Sequence, residues 1–396
     1  MKILMVTPYV PYPPSSGGQI RTFNLLKYLS KNHQITLIGL YKNDQERRYL
    51  FHLKHYCKKI YLCQRPTKPW QIRNILKATF STLPFLIVRN YSPQARLLIE
   101  KLLQKEIFDV IHAETFYIMP HIPETKIPIV LVEQTIEYQV YQHFINSLSF
   151  PLRLPLYLDI IKLKYWERYY WKKASIVAAV SSADEKTIKE LEPRIKTTII
   201  PNGAGDEMIA KQLTVKDLRK PVIFFQGNFN WLQNVEAAEY LVDEIYPQLK
   251  ITLPAASVII SGQNTNKINY LKNKGVEIVD TLTDDTKSVK SIFKKGTLFI
   301  APIFGPGGTR LKILAAMAAG IPVVSTSVGV EGLAVENNTH VLIAQTPQEF
   351  VNKISYILSQ PKIYQKIRMA AYQLIKEKYN WKKITQELEE VYRKII

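Results

Sequence analysis

The sequence predicts an α/β protein with two domains, each built on a parallel β-sheet. Short apolar runs alternate with stretches of helical spacing, and this pattern restarts once near the middle of the chain. The 396 residues are too many for one ordinary core and suit two domains of about 150 to 200 residues each. With 46% hydrophobic and 22% charged residues, the composition is that of a folded protein with two substantial cores.

The N-terminal half begins with a βαβ unit. Residues 2–10 form the first apolar run, a loop rich in proline and glycine follows, and residues 20–29 have apolar positions at helical spacing before a second strand at 34–41. This order predicts a parallel sheet with a right-handed crossover. The alternation continues to about residue 200, with further predicted strands at 108–113, 127–133 and 174–181.

The C-terminal half repeats the alternation and is therefore also predicted to be Rossmann-like. Its helices begin at about Asn234, and its predicted strands are 221–228, 256–262, 276–280, 297–303, 321–327 and 340–344. The turn signal Asn202-Gly203 marks the boundary. We expect domains over 1–205 and 206–375, with a helix over 376–396 that crosses back to the first domain and uses Trp381 as a packing anchor.

Cysteine content and hydropathy indicate a cytoplasmic protein without a metal site. Cys57 and Cys63 have no second cysteine pair to complete a zinc site, and they suggest a reducing compartment. The first ten residues are interpreted as a strand, because they lack the length and flanks of a signal peptide. No apolar stretch reaches the roughly 18 to 20 residues that span a bilayer.

A formal net charge of +20 predicts anionic partners. No zinc, helix-turn-helix or aromatic RNA-binding signature supports nucleic acid. Residues 151–173 mix Lys and Arg with Leu, Ile, Tyr and Trp, which is typical of a helix at an anionic membrane surface. Such a helix would place the protein at the inner face of the cell membrane. The alternative is an ordinary amphipathic helix whose apolar face belongs to the core.

The stretch 304–333 carries the most specific chemical signal. Gly305, Gly307 and Gly308 form a loop, Thr309 can cap, and a helix follows that ends at Gly320. A glycine-rich loop that opens a helix is an anion site, and Arg310 and Lys312 add positive charge. We expect phosphate binding here; the alternative is a solvated basic turn.

This stretch resembles the donor-binding segment of retaining family four glycosyltransferases of the GT-B fold, with the pattern GGTRLKILEAMAAG. The resemblance implies two Rossmann-like domains facing a central cleft, a nucleotide-diphosphate sugar as donor substrate with no cofactor, and a glycan or lipid-linked acceptor. It assigns to the donor site Gly307, Gly308, Thr309, Arg310, Leu311 and Lys312. Position 315 departs from the pattern, because Ala315 stands where the family has a glutamate that holds the donor ribose.

Loss of that glutamate should weaken donor binding about tenfold to a hundredfold. Three explanations stay open: an engineered substitution, a natural variant with a displaced ribose contact, or a protein that no longer catalyses.

The resemblance extends to the beginning of each domain. Gly17 and Gly18 match the family's first loop, where glycine lets the backbone approach the donor phosphate and acceptor. Gly227 and Asn228 match the opening of the second domain, but its usual Arg and Lys are not evident and Gln233 stands nearby. Arg310 and Lys312 are therefore expected to neutralise more of the diphosphate.

Candidate catalytic groups are expected at the carboxyl ends of strands in the first domain. His112 and Glu114 follow one strand, and Glu133, Gln134 and Glu137 follow the next. Gln134 cannot act as a base. His112 can instead be a core histidine, and Glu114 and Glu137 can face solvent.

The resemblance implies retention of anomeric configuration, and we expect Arg310 to stabilise the leaving diphosphate. Asp284-Asp285 is interpreted as a loop and helix start and not as a metal-binding pair, so we expect activity without a metal ion. A non-catalytic sugar-nucleotide or polyanion-binding subunit is the alternative. A dinucleotide oxidoreductase is disfavoured, because the first loop lacks G-x-G-x-x-G.

Overall fold

The computed structural model describes residues 1–68, 70–281 and 286–396. The chain divides into two compact units. Unit 1 consists of Met1–Pro201 and Lys382–Ile396, and unit 2 consists of Asn202–Trp381. Asp284-Asp285, interpreted from the sequence as a loop and helix start, lies outside the described residues.

Unit 1 is built on a sheet of seven parallel strands. The strands are β1 (Lys2–Thr7), β2 (Gln34–Tyr41), β3 (Lys59–Gln64), β4 (Val110–Glu114), β5 (Ile129–Glu133), β6 (Ile176–Ala179) and β7 (Thr197–Ile199). Their order in the sheet is β3-β2-β1-β4-β5-β6-β7, and every neighbouring pair is parallel. The order reverses between β1 and β4, which makes this pair the topological switch point of the sheet.

The helices of unit 1 connect these strands. They are α1 (Gly17–Leu29), α2 (Asp44–Arg47), α3 (Leu50–Leu53), α4 (Ile72–Phe80), α5 (Phe85–Asn90), α6 (Pro93–Lys105), α7 (Glu137–Asn146), α8 (Phe150–Lys173) and α9 (Ser182–Leu191), with a 3₁₀ helix at Phe116–His121. Leu4, Leu131 and Trp171 are among the completely buried residues of its core.

The described residues of unit 2 also form an α/β arrangement, on a sheet of six parallel strands. These are β8 (Val222–Asn228), β9 (Ser257–Gln263), β10 (Glu277–Asp280), β11 (Leu298–Ala301), β12 (Val323–Ser325) and β13 (Leu342–Ile343). The sheet order is β10-β9-β8-β11-β12-β13, so the switch point lies between β8 and β11. The predicted fold of two Rossmann-like α/β units is confirmed.

The helices of unit 2 connect these strands. They are α10 (Leu232–Tyr240), α11 (Tyr246–Thr252), α12 (Thr286–Lys295), α13 (Leu311–Ala318), α14 (Pro347–Ser359) and α15 (Pro361–Lys378). A π turn at Leu241–Ile245 joins α10 to α11, and 3₁₀ helices occupy Asp206–Met208 and Thr265–Lys274. The core contains a group of stacked and edge-on rings: Phe224, Phe225, Phe293 and Phe299.

The last helix, α16 (Trp381–Ile395), follows α15 after a short break. Trp381 is completely buried, as expected for a packing anchor, and the residues from Lys382 onward belong to unit 1. Among the described helices, none has the length and apolar character needed to cross a membrane.

Candidate functional site

The glycine-rich loop of unit 2 lies at the switch point of its sheet. It follows β11 and leads into α13, which begins at Leu311 with Arg310 at the N-cap position and no side-chain capping bond there. The expectation that Thr309 caps this helix is therefore wrong. Arg310 Nη2 instead donates to the carbonyl of Gly305 at 2.6 Å and closes the loop on itself.

Gly307 allows this closed loop to form. Its φ of 146° is in the region that favours glycine, and a Cβ at this position would overlap the Arg310 guanidinium. Because the N-terminal turn of α13 has no side-chain cap, its amide groups and the Arg310 charge favour an anion at this end of the helix.

Lys312 joins the two halves of the switch point. Its Nζ donates to Asn234 Oδ1 on α10 at 2.5 Å and lies 4.7 Å from the ring centroid of Phe225 on β8. Burial, and then the charge of Arg310, hold the pKa of Lys312 well below its ordinary value. A bound anion would offset both effects and raise the pKa of Lys312.

Residues at the carboxyl end of β8 lie on the other side of this switch point. Asn234 Nδ2 donates to the Asn228 carbonyl at 2.7 Å, and Asn228 Nδ2 donates to Gln263 Oε1 at 3.0 Å. A Cβ at Gly227 would lie 3.0 Å from Asn234 Cγ, so glycine lets α10 approach the strand. The structure thus brings Gly227 and Asn228 next to Lys312, with Asn234 as the link.

Ala315 lies on the partly exposed face of α13. It packs in part against the core of unit 2, while Ile313 and Leu314 are completely buried. Lys312 and Ala315 are three positions apart, which places them on the same side of the helix. A glutamate at position 315 would therefore project next to the Lys312 amine and the glycine-rich loop.

In unit 1, the Gly17-Gly18 pair begins α1 after β1. Ser16 is the N-cap, and its side chain accepts a hydrogen bond from the Gln19 amide. A Cβ at Gly18 would lie 2.5 Å from Tyr9 Oη and 2.7 Å from Gln134 Oε1. Glycine is required here because these two side chains occupy the space in front of the helix.

His112 and Glu114 lie at the end of β4, as predicted, but both side chains are completely buried inside unit 1. His112 Nε2 donates to Glu114 Oε1 at 3.0 Å, since a carboxylate can only accept. Gln134 Nε2 donates to Glu114 Oε2 at 2.5 Å and lies 2.9 Å from Tyr9 Oη. This buried chain of hydrogen bonds connects β4 to the loops that surround Gly18.

Arg21 on α1 completes the buried network of unit 1. Its Nε lies 3.7 Å from Glu114 Oε1, and its Nη1 donates to the carbonyls of Ile200 and Pro201. Although burial raises the pKa of Glu114, the hydrogen bond from His112 and the Arg21 charge hold that pKa below its usual value. Glu114 is therefore an ionised carboxylate in the interior and holds Arg21 and His112 in place.

Glu133 and Glu137 lie apart from this network, beside α8. Trp171 Nε1 donates to Glu133 Oε1 at 2.8 Å, and the amide of Glu137 donates to Glu167 Oε1 at 2.9 Å. Burial raises the pKa of Glu137 to about 7. Glu133 is completely buried, and so is Glu114, which therefore does not have the solvent-facing position considered for Glu114 and Glu137.

Sequence reasoning missed Arg21, Tyr9 and Asn234. Arg21 carried one usable signal, because it follows Gly18 by three residues at the start of a predicted helix. Asn234 carried none, since its role depends on contacts with Asn228 and Lys312 that no local pattern reveals. Among the residues that the structure describes, no group of three or more His, Cys, Asp or Glu is arranged to hold a metal ion.

Two family models match the chain, one in each half. Glycosyltransferase Family 4 matches residues 15–207, and Glycosyl transferases group 1 matches residues 220–360. A protein described as an uncharacterized 44.6 kDa protein in the cps region of Klebsiella pneumoniae is 22% identical, with 97% of both chains covered.

Solved structures share the fold over the whole chain. Sucrose-phosphate synthase from Thermosynechococcus elongatus has a TM-score of 0.71 at 14% identity and covers 100% of this chain and 99% of its own. Anabaena HepE in complex with UDP-glucose has a TM-score of 0.66 at 15% identity with 100% of both chains covered. A mutant of S. aureus TarM in complex with fondaparinux, alpha-GlcNAc-glycerol and UDP has a TM-score of 0.71 at 11% identity, covering 99% and 100%. Together with the two family matches, this shared architecture places the chain among the glycosyltransferases of the GT-B fold.

Proposed function

We propose that this chain transfers a sugar, of hexosyl type, from a nucleotide-diphosphate donor to a glycan or lipid-linked acceptor, with retention of configuration and without a metal ion. The observation that carries the proposal is the Lys312–Asn234 contact beside the uncapped start of α13. Arg310, Lys312 and the first turn of α13 lie there at the switch point of unit 2, where α/β sheets bind ligands. The complexes of HepE with UDP-glucose and of TarM with UDP support a donor of this class.

In the proposed reaction, the bond between the anomeric carbon and the diphosphate oxygen breaks while the acceptor oxygen attacks from the same face. The negative charge that develops on the diphosphate is stabilised by Arg310, Lys312 and the amides of α13. The proton of the acceptor hydroxyl passes to a phosphate oxygen, so no protein base is required. His112 and Glu114 then act as positioning residues, because their buried side chains support the Gly17-Gly18 turn through Gln134 and Tyr9.

Titration calorimetry of the wild type and of Ala315→Glu against UDP, GDP, ADP and dTDP tests the donor site. We expect one nucleotide to bind, and the variant to gain about tenfold to a hundredfold in affinity through ribose hydrogen bonds. Ala319→Glu is the matched control, because it adds the same charge four positions further on, at the C-cap of α13, and should leave affinity unchanged. If no nucleotide binds to either protein, the donor proposal is wrong.

Turnover of the matching sugar donor tests the chemistry. Arg310→Ala should lower kcat by about a hundredfold, and Arg310→Lys should restore part of it if the charge is what matters. Retention is checked by NMR of the product anomer, and EDTA should leave the rate unchanged. A loss with EDTA that Mg²⁺ reverses would overturn the metal-independent mechanism.

Ala315 also favours a second candidate, a sugar-nucleotide or polyanion-binding subunit without catalysis. It predicts that the wild type binds a nucleotide sugar while neither it nor Ala315→Glu turns the sugar over. Appearance of turnover in Ala315→Glu alone would identify Ala315 as the lesion in a transferase site.

For the acceptor, we propose a lipid-linked or membrane-proximal glycan, as in bacterial surface polysaccharide assembly, reached from the cytoplasmic face of the membrane. The proposal depends on peripheral contact between unit 1 and an anionic membrane, and its support is the surface of α8.

A further inference from the structure

Helix α8 has two apolar faces. Leu163 and Trp171 are completely buried in the core of unit 1. Leu154, Leu158, Ile161 and Tyr165 repeat every three or four positions, and each is 62% to 65% exposed. The core therefore explains one face of the helix and leaves an unpartnered apolar stripe on another.

Helix α4 carries a second exposed apolar stripe. Ile72, Leu76 and Phe80 are four positions apart and are 75%, 51% and 84% exposed. Side chains at this spacing share one side of a helix. The opposite side of α4 meets the protein through Asn74 and Ala78, which are buried.

Hydrogen bonds from α8 to the end of α4 make the two stripes neighbours. Lys162 Nζ donates to the carbonyls of Ala78 at 2.8 Å and Ser81 at 2.7 Å, and Trp166 Nε1 donates to the Thr82 carbonyl at 2.8 Å. Phe80 lies between these bonded positions in the sequence. The exposed apolar side chains of the two helices therefore lie close to the same junction, and we call them together the α4–α8 face.

The charged side chains around the α4–α8 face are mainly cationic. Lys68, Arg73 and Lys77 are exposed, and residues 66–81 contain no acidic side chain. In residues 153–165 the single acidic side chain is Asp159, which accepts a hydrogen bond from the Phe85 amide at 2.8 Å. Exposed apolar side chains bordered by cations match the headgroup and acyl boundary of an anionic bilayer.

We propose that the α4–α8 face binds an anionic lipid bilayer, with both helices lying in the plane of the interface. A second copy of the chain fits this surface less well, because a two-fold contact would bring the same cations of both copies together. The proposal does not depend on the donor chemistry, since the α4–α8 face belongs to unit 1 and the donor loop belongs to unit 2.

Vesicle co-sedimentation of the full chain tests whether the exposed apolar side chains of the α4–α8 face contribute to membrane binding. Vesicles of phosphatidylcholine alone are compared with vesicles that also contain phosphatidylglycerol. We expect binding to the mixed vesicles, and a loss of about tenfold or more in Leu158→Glu/Ile161→Glu, because two charged side chains would have to enter the interface. The matched control is Val215→Glu/Ile251→Glu, whose parent side chains are 91% and 85% exposed on unit 2 and which should bind like the wild type.

A pair of charge-reversal substitutions tests whether the cations beside the α4–α8 face contribute to membrane binding. Arg73→Glu/Lys77→Glu should weaken binding to the mixed vesicles at least twentyfold, at about fivefold for each cation lost, and should reduce its salt dependence. Lys362→Glu/Lys366→Glu makes the same change of net charge on exposed positions of α15 and should lower binding much less. Sedimentation equilibrium of every variant reports the oligomeric state.

The proposal is overturned if the wild type ignores phosphatidylglycerol, or if each variant pair binds like its control. It is also overturned if the wild type is a dimer that Leu158→Glu/Ile161→Glu converts to a monomer, because the occupant is then a second copy. Thermal unfolding like that of the wild type shows that the variants are folded. Nucleotide binding, measured separately, distinguishes this outcome from a failure of the donor proposal.

Discussion

Tyr392 and His112 are joined by a hydrogen bond of 2.6 Å between Oη and Nδ1, although 280 positions separate them in the sequence. His112 also donates from Nε2 to Glu114, so Tyr392 attaches the C-terminal helix α16 to the buried network of unit 1. Both side chains are completely buried, which makes an unpaired nitrogen or hydroxyl costly at this position.

Tyr392→Phe should destabilise unit 1 by about 1 to 3 kcal/mol, because it leaves the His112 Nδ1 acceptor buried without a partner. Urea unfolding measures the loss. Tyr356→Phe removes a hydroxyl from a side chain that is 41% exposed and should change stability by less than about 0.5 kcal/mol. Equal effects of the two substitutions would contradict a special role for the Tyr392–His112 bond.

Most of the fold could be predicted because local periodicity determines it. The βαβ pattern predicted both parallel sheets, and the glycine-rich loop predicted the start of α13 and its end at Gly320, whose φ is 67°. The sequence placed the change of domain at 205–206, whereas the structure divides after Pro201. The difference arises because the Ala204 amide donates to the Tyr379 carbonyl, a contact that ties this segment to unit 2.

The surroundings of the candidate sites were harder to predict, because they depend on contacts between distant residues. The pairing of Tyr392 with His112 and of Asn234 with Lys312 leaves no periodic signal. The second apolar face of α8 was also hidden, since apolar residues that occur all around a helix do not reveal which of them are covered.

Gly262→Ala should destabilise unit 2 by about 3 kcal/mol or more, because strain and overlap combine. Gly262 has a φ of 144°, and a Cβ there would overlap the carbonyl oxygen of Gly227 on the neighbouring strand. Gly275→Ala tests backbone strain without steric overlap. Gly275 has a φ of 87°, but the nearest atom to its Cβ would be 3.5 Å away, so a loss of stability of about 1 kcal/mol is expected. Thermal unfolding that ranks the two variants equally would contradict the overlap.

The contribution of Glu137 to the unfolding free energy should fall as the pH rises from about 4.5 to about 7, opposite in sign to the contribution of His121, whose pKa burial lowers to about 4. Burial raises the pKa of Glu137 to about 7, so the folded protein keeps a proton that the unfolded chain loses near 4.5. This stabilisation is complete below pH 4.5 and is lost above 7, and the raised pKa values of buried Glu133 and Glu167 act in the same direction.

Urea unfolding at pH 5 and pH 8 measures this dependence. Glu137→Gln should lack the part of the change in unfolding free energy between the two pH values that Glu137 contributes in the wild type. Glu277→Gln, at an exposed position, should show the same change as the wild type. A change in Glu137→Gln equal to that in the wild type would exclude this contribution of Glu137.

Lys312→Met should separate stability from anion binding. The pKa of Lys312 is held well below its ordinary value in the folded protein, so between the two values the unfolded chain binds more protons and wild-type stability rises with pH. The methionine variant lacks this rise, and its stability relative to the wild type should therefore be greatest at low pH. At the same time it should bind nucleotide diphosphate about tenfold more weakly, because an ammonium contact to phosphate is lost.

Proton uptake provides the direct check on Lys312. Calorimetric titration of the wild type with nucleotide diphosphate in two buffers of different ionisation enthalpy should show protons taken up on binding, since a bound anion raises the pKa of Lys312. Lys312→Met should bind with less proton uptake, while Lys362→Met, at an exposed position on α15, should behave like the wild type. Equal proton uptake in the wild type and in Lys312→Met would mean that the phosphate binds away from Lys312, and the donor would then have to contact unit 2 elsewhere than at the Lys312–Asn234 pair.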